Sequence, residues 1–173
     1  MTDSRKTARI RVLVADDQPH ILEAVELLLE PQGIAVDCVR SPQLLLEALS
    51  HSGYDVLLID LNYTRATTSG QEGLDLVARV KEMDTQLPVV VMTAWGNIDL
   101  AVEAMRRGAG DFIQKPWENA RLLSILRTQM ELHRSQRRAQ GRDSVNRTLS
   151  AWGAPDFIAS ATSQIASSAT TAG

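Results

Sequence analysis

The chain has 173 residues, enough for one ordinary domain with a tail. With 44% hydrophobic residues and a formal net charge of −3, bulk composition points neither to a disordered acidic chain nor to a strongly basic nucleic-acid binder. The one cysteine, Cys38, excludes an internal disulfide, and no stretch approaches the roughly 18 apolar residues of a membrane helix.

Charge is unevenly placed. Residues 1–118 hold 11 basic and 18 acidic side chains, net −7, whereas residues 119–173 hold 7 and 3, net +4. An acidic globule runs into a basic segment. The polar N-terminus passes straight into an apolar run without a signal-peptide core, so a cytoplasmic protein is expected.

Residues 10–15 read as a strand and 19–30 as a helix, with Pro19 in its first turn and Ile21, Val25, Leu28 and Leu29 on one stripe. Pro31 stops that helix and Gly33 turns the chain into a second strand, 34–39, where Cys38 is expected as a small buried hydrophobe. Ser41-Pro42 is a helix start, with Leu45, Leu46 and Leu49 on the buried face. A third strand, 55–60, gives way to LNYTRATTSGQEG, which has no periodicity, and then to a helix marked by Leu74, Val77 and Val80. A fourth strand at 88–93, a helix at 97–107 carrying Ile98, Val102 and Met105, a fifth strand at 111–114 and a last helix from near Trp117 to about 140 complete the series. Strands alternating with helices predict an α/β fold: a doubly wound, five-stranded parallel sheet of flavodoxin-like type with an extended C-terminal helix. The expected organisation is a core over 1–118, a last helix over 119–140 and a flexible Ala/Ser/Thr-rich tail over 141–173.

Polar residues gather where the strands end. Asp16 and Asp17 follow the first strand, Asp60 closes the third, Thr93 the fourth, and Lys115 follows the fifth. In such sheets ligands sit beyond the carboxyl ends of the strands. Carboxylates packed together repel and need a hard cation, and Mg²⁺ takes one or two carboxylates plus other oxygens. Asp17 and Asp60 suffice as direct ligands, with Asp16 direct or through water and the Asn62 backbone carbonyl as a further oxygen. Asp16 or Asp17 alternatively N-caps the first helix. Asp60 is the candidate nucleophile toward phosphorus; Thr93 and Lys115 are partners for phosphoryl oxygens, and Lys115-Pro116 is a candidate cis bond. Each of these residues alone has a plain structural reading: a loop-capping Asp, a β-branched strand residue, a solvent-exposed Lys.

In this order and at these strand ends, the residues resemble the receiver domain of two-component response regulators, over residues 10–118 and the helix that follows. MTAWGNIDLAVEAMRRGAGDFIQKPW is most similar to receivers of sigma-54-dependent, enhancer-binding transcriptional regulators. The resemblance implies that the acidic pair binds Mg²⁺, that Asp60 accepts a phosphoryl group from a sensor histidine kinase, and that Thr93 and Lys115 report it. It implies a switch role for Phe112, three residues before Lys115, working through packing because Phe lacks a hydroxyl. DFIAS, from residue 156, resembles the entry to an ATPase domain, but GxxxxGK[ST] is absent, so neither ATPase activity nor DNA reading is expected of these residues; DNA would be reached only through domains absent from the chain. The loop after Asp60 is longer than the family's, suggesting a flap that tunes kinase docking or acyl-phosphate lifetime, and Trp95 is a second candidate for that tuning. Leu123, Leu126, Met130 and His133 form a 3-4-3 stripe that predicts a homodimer through the last helix. Two other readings remain: a phosphatase with an Asp nucleophile, disfavoured by Asn62 where a general acid would stand, and a degenerate receiver used as a phosphorylation-independent scaffold.

Overall fold

The computed structural model describes residues 9–62, 70–94 and 96–151. Among them, strands β1 (Arg11–Ala15), β2 (Ala35–Val39), β3 (Val56–Asp60), β4 (Val89–Thr93) and β5 (Asp111–Gln114) alternate with helices α1 (Pro19–Leu29), α2 (Pro42–His51), α3 (Gln71–Met83), α4 (Ile98–Arg106) and α5 (Asn119–Ala151). All strand pairs are parallel and the order is β2-β1-β3-β4-β5. This is the doubly wound, flavodoxin-like sheet that the alternation predicts. The chain divides into two units, residues 1–134 and 135–173. The first contains the whole sheet.

Side chains alternate across β1 and β3, so each strand feeds two cores. Val12, Val14, Val56 and Leu58 pack with α1 and α5; Leu13, Ala15, Leu57 and Ile59 pack with α2 and α3. Both faces are dry, which is why these strands are continuous apolar runs. Ser41 caps α2, its hydroxyl accepting from the Leu44 N–H at 3.3 Å, with Pro42 in the first turn as expected. Gly33 ends the turn after α1 at φ 76°, the left-handed region that favours glycine. At Gly73 a Cβ would lie 2.5 Å from the Leu61 backbone, so α3 sits against the end of β3 only because no side chain intervenes.

Several boundaries and faces differ from expectation. Neither Asp16 nor Asp17 caps α1: Gln18 occupies the N-cap, and Asp16 instead accepts the Gln18 N–H at 2.9 Å, fixing the turn before the helix. Cys38 is only partly buried, because β2 is a sheet edge. Burial and the neighbouring Glu26 push its thiol up to about 12, so it is inert at neutral pH. On α4 the buried residues are Ala101 and Ala104, while Ile98, Val102 and Met105 face outward at 64%, 46% and 39% exposure. The helical spacing was a correct sign of a helix, but the core took its small face.

The last helix departs most. It runs to Ala151, beyond the expected end near 140, with Gly141 inside it. Leu126 and Met130, expected at a dimer seam, are in the core beneath α5, and His133, expected at the surface or the seam, is 3% exposed. His133 is therefore still covered by the body of the domain, and Leu123, Leu126 and Met130 of the 3-4-3 stripe pack on the chain's own sheet.

Candidate functional site

The strand order brings the polar strand ends together. β1 and β3 are neighbours, with Ala15 opposite Ile59, so Asp16-Asp17 and Asp60 leave the sheet side by side. The order reverses between these two strands, since β2 lies outside β1 and β4 outside β3; this is the switch point where such sheets open a crevice. Next along the edge come Thr93, closing β4, and Lys115, whose backbone N–H donates to the Thr93 carbonyl at 2.8 Å. The Lys115–Pro116 peptide is cis.

Asp16 is completely buried, Asp60 1% exposed and Thr93 2%. One carboxylate oxygen from each of Asp16, Asp17 and Asp60 falls within 4.8 Å of the others. The Lys115 ammonium enters this group, 2.5 Å from Asp16 Oδ2 and 3.3 Å from Asp60 Oδ2. Asp16 is thereby satisfied on both oxygens, by Lys115 and by the Gln18 N–H. Asp17 and Asp60 are not: Asp17 Oδ1 and both Asp60 oxygens are buried with no donor in good hydrogen-bond geometry. For Asp60 the ammonium at 3.3 Å acts mainly through its charge.

The electrostatics follow from this geometry. Burial raises the Asp60 pKa above the ordinary carboxylate value; the Lys115 ammonium opposes the rise and the Asp16 carboxylate adds to it. One cation against three carboxylates leaves excess negative charge at a buried sheet edge. Orphaned buried oxygens on two adjacent acids are costly unless something else meets them, and a hard divalent cation fits that donor set.

Asp16, Asp17, Asp60 and Lys115 thus meet in one place, and Thr93 is buried at the end of the neighbouring strand. Phe112 lies on β5, three residues before Lys115, partly buried against the core shared by α2, α3 and α4. Asn62 is described as part of the turn leaving β3, whereas Trp95 and residues 63–69 of the long loop lie outside the described residues. Sequence reasoning missed the Gln18 N–H and the Arg40 guanidinium, which donates to the Asp17 carbonyl at 3.4 Å. The first has no side-chain signature, and the second needs β2 beside β1.

Three clustered carboxylates, two of them buried, with a single ammonium at the switch point of a doubly wound sheet form a group that could hold a metal ion. Comparison with known proteins agrees: residues 12–127 match the response regulator receiver domain, and the chain belongs to that family. It is 33% identical over 127 residues to the C4-dicarboxylate transport transcriptional regulatory protein DctD of Pseudomonas aeruginosa, covering 73% of this chain and 26% of that one. It is 31% identical over 120 residues to the transcriptional regulatory protein FixJ of Bradyrhizobium diazoefficiens, covering 69% and 56%. The crystal structure of the receiver domain of NtrX from Brucella abortus superposes with a TM-score of 0.64 at 31% identity, covering 69% of this chain and 98% of that one. The chain therefore spans about a quarter of DctD and just over half of FixJ. No helix among the described residues is long and apolar enough to cross a membrane.

Proposed function

We propose that the chain is a phospho-accepting switch in a two-component pathway, taking a phosphoryl group from a sensor histidine kinase onto Asp60. The carrying observation is the unsatisfied, buried Asp60 carboxylate beside Asp17 and the Lys115 ammonium. An Asp60 oxygen attacks the phosphorus of the kinase's phosphohistidine. The P–N bond breaks, its electron pair returns to the imidazole, and an acyl phosphate forms on Asp60. Asp17, Asp60 and the Asn62 carbonyl, with Asp16 direct or through water, would hold a Mg²⁺ ion, which would neutralise charge on the phosphoryl oxygens. Asp16 holds Lys115, Lys115 faces a phosphoryl oxygen, and Thr93 donates its hydroxyl to another. Hydrolysis of the anhydride by water returns the carboxylate and inorganic phosphate, so the only reaction is the switch's own charging and slow discharge.

Phosphorylation adds charge and three acceptor oxygens beside Thr93 and Lys115, which draws both toward Asp60. The output surface is then α4, β5 with Phe112, and the start of α5. The outward Ile98-Val102-Met105 stripe supports a homodimer on this face, joined by the parts of the last helix that are not buried, with transcriptional control exercised through domains outside this chain. The protein acts in the cytoplasm, as its receiver class suggests. Residues 1–118 form the switching core, 119–140 the helix that carries the signal and 141–173 the connection to a following domain.

Intact mass after incubation with acetyl phosphate and Mg²⁺ tests this reading, with size-exclusion chromatography on the same samples. The wild type should gain one Mg²⁺-dependent phosphoryl adduct and elute earlier, and Asp60→Asn should do neither. Mg²⁺ binding with no adduct on the wild type would contradict the phosphoryl reading and favour a phosphorylation-independent scaffold.

A further inference from the structure

Helix α4 is thinly attached. Its fully buried side chains are two alanines, Ala101 and Ala104; Leu100 packs partly buried against the core, and Ile98, Val102 and Met105 point outward. Alanine burial contributes little hydrophobic free energy compared with a buried Leu or Ile. Beyond its packing on β4 and β5, the helix is held at its two ends, and both ends meet the first turns of α3. At the N-terminal end, Leu100 is seated against Gly70, the residue before α3, where a Cβ would lie 2.6 Å from Leu100 Cδ1. At the C-terminal end, Arg107 closes α4 and reaches back to α3. Its Nη1 donates to Asp75 Oδ1 at 2.8 Å while its Nε donates to Glu103 Oε1 at 3.0 Å. Gln71 Nε2, one turn earlier on α3, donates to the same Asp75 oxygen at 2.6 Å.

The four side chains form a small network and not an isolated ion pair. Hydrogen bonds from Arg107 and Gln71 lower the Asp75 pKa from its ordinary value, and those to Glu103 and Asp75 raise that of Arg107. Exposed pairs in isolation are worth little, but a shared network with fixed geometry is the case in which they count. Here it acts on an element whose fully buried side chains are only alanines.

We propose that the Gly70–Leu100 seat and the Asp75–Arg107–Glu103 network together bracket α4 against α3, and that this bracket biases the domain toward the arrangement without phosphate. The bracket rests on the proposed phosphoryl switch for its consequence, though not for its existence. If α4 must shift when Asp60 is charged, the bracket has to yield, and every contact in it opposes charging. By linkage, weakening it makes phosphorylation easier by the factor that it loosens α4. Asp75, Arg107 and Leu100 are positioning residues: none touches the Asp60 site.

Two readouts on the full chain test this. Amide hydrogen exchange over α4 is compared for wild type, Asp75→Asn, Arg107→Gln and Leu100→Ala, with Asp37→Asn as a control that breaks a comparably exposed pair, Arg11–Asp37, on the far edge of the sheet. The acetyl phosphate concentration giving half-maximal adduct is then measured for the same set. The bracket predicts exchange in α4 faster by roughly two- to fivefold for Asp75→Asn and Arg107→Gln, unchanged exchange for Asp37→Asn, and a half-maximal concentration lowered by a similar factor. The conservative Asp75→Glu should stay closer to wild type on both readouts. Unchanged α4 exchange in Asp75→Asn and Arg107→Gln would overturn the bracket, and so would faster exchange with an unmoved half-maximal concentration. No adduct on the wild type sinks the phosphoryl reading instead, and the exchange comparison then decides the restraint alone.

Discussion

The two ends of the sheet carry similar side chains in opposite conditions. At the amino end, Arg11 Nη2 meets Asp37 Oδ2 at 2.6 Å and lies over the Tyr54 ring, 4.7 Å from its centroid. Asp55 accepts the Arg11 N–H at 2.9 Å and faces Arg134 of α5 at 3.7 Å. Each acid there has its donor. At the carboxyl end, three acids share one ammonium, and three buried oxygens on Asp17 and Asp60 lack a hydrogen bond. The same residue types thus serve as fasteners at one edge and as an incomplete ligand set at the other. Satisfaction, more than residue identity, separates structure from function here.

Removing the shared cation should have one of the largest effects on stability. Lys115→Ala leaves Asp16 and Asp60 buried without a counter-charge, and a loss of about 3 kcal/mol is expected by denaturant unfolding in the absence of divalent ions. Millimolar Mg²⁺ should recover part of that loss. Equal unfolding curves for wild type and Lys115→Ala would remove the contrast between the two edges.

A comparable contrast separates the two helices named in the proposed output surface. Leu126→Ala opens the core under α5 and should cost about 2–5 kcal/mol. Val102→Ser, on the outward face of α4, should change stability by less than about 0.5 kcal/mol. A large cost at Val102 would mean that α4 is held by more than its alanines and its ends.

Mg²⁺ should stabilise the wild type by about 2.7 kcal/mol at 100 times its dissociation constant. It should do little for Asp17→Asn or Asp60→Asn, as thermal melts with and without the ion would read. A small effect is expected at the satisfied edge as well. Asp37→Asn breaks an exposed pair and should cost under about 1 kcal/mol. A cost there equal to that of Lys115→Ala would erase the distinction.

Much of this was legible in the chain. Apolar runs fully buried on two faces have no alternation to misread, so every strand lies within a residue of its expected start, and their carboxyl ends carried the site with them. The helices were read less well, because periodicity reports that a face exists without saying which face is inside. Ile98, Val102 and Met105 look like a core stripe, yet the space beside β4 and β5 admits Ala101 and Ala104. Leu126 and Met130 look like a seam because a helix docked on its own sheet and a helix docked on a partner require the same spacing. The contacts at Gln18, Arg40 and Asp75 depend on elements distant in sequence or on backbone groups, and no local pattern encodes them.

The most direct test of the central claim is the position of the phosphoryl group. Borohydride reduces an acyl phosphate on Asp to homoserine, and peptide mass mapping then locates the change. Conversion confined to Asp60, dependent on Mg²⁺ and abolished in Asp17→Asn, is the predicted result. A stable adduct elsewhere in the chain, with Asp60 unmodified, would contradict the account.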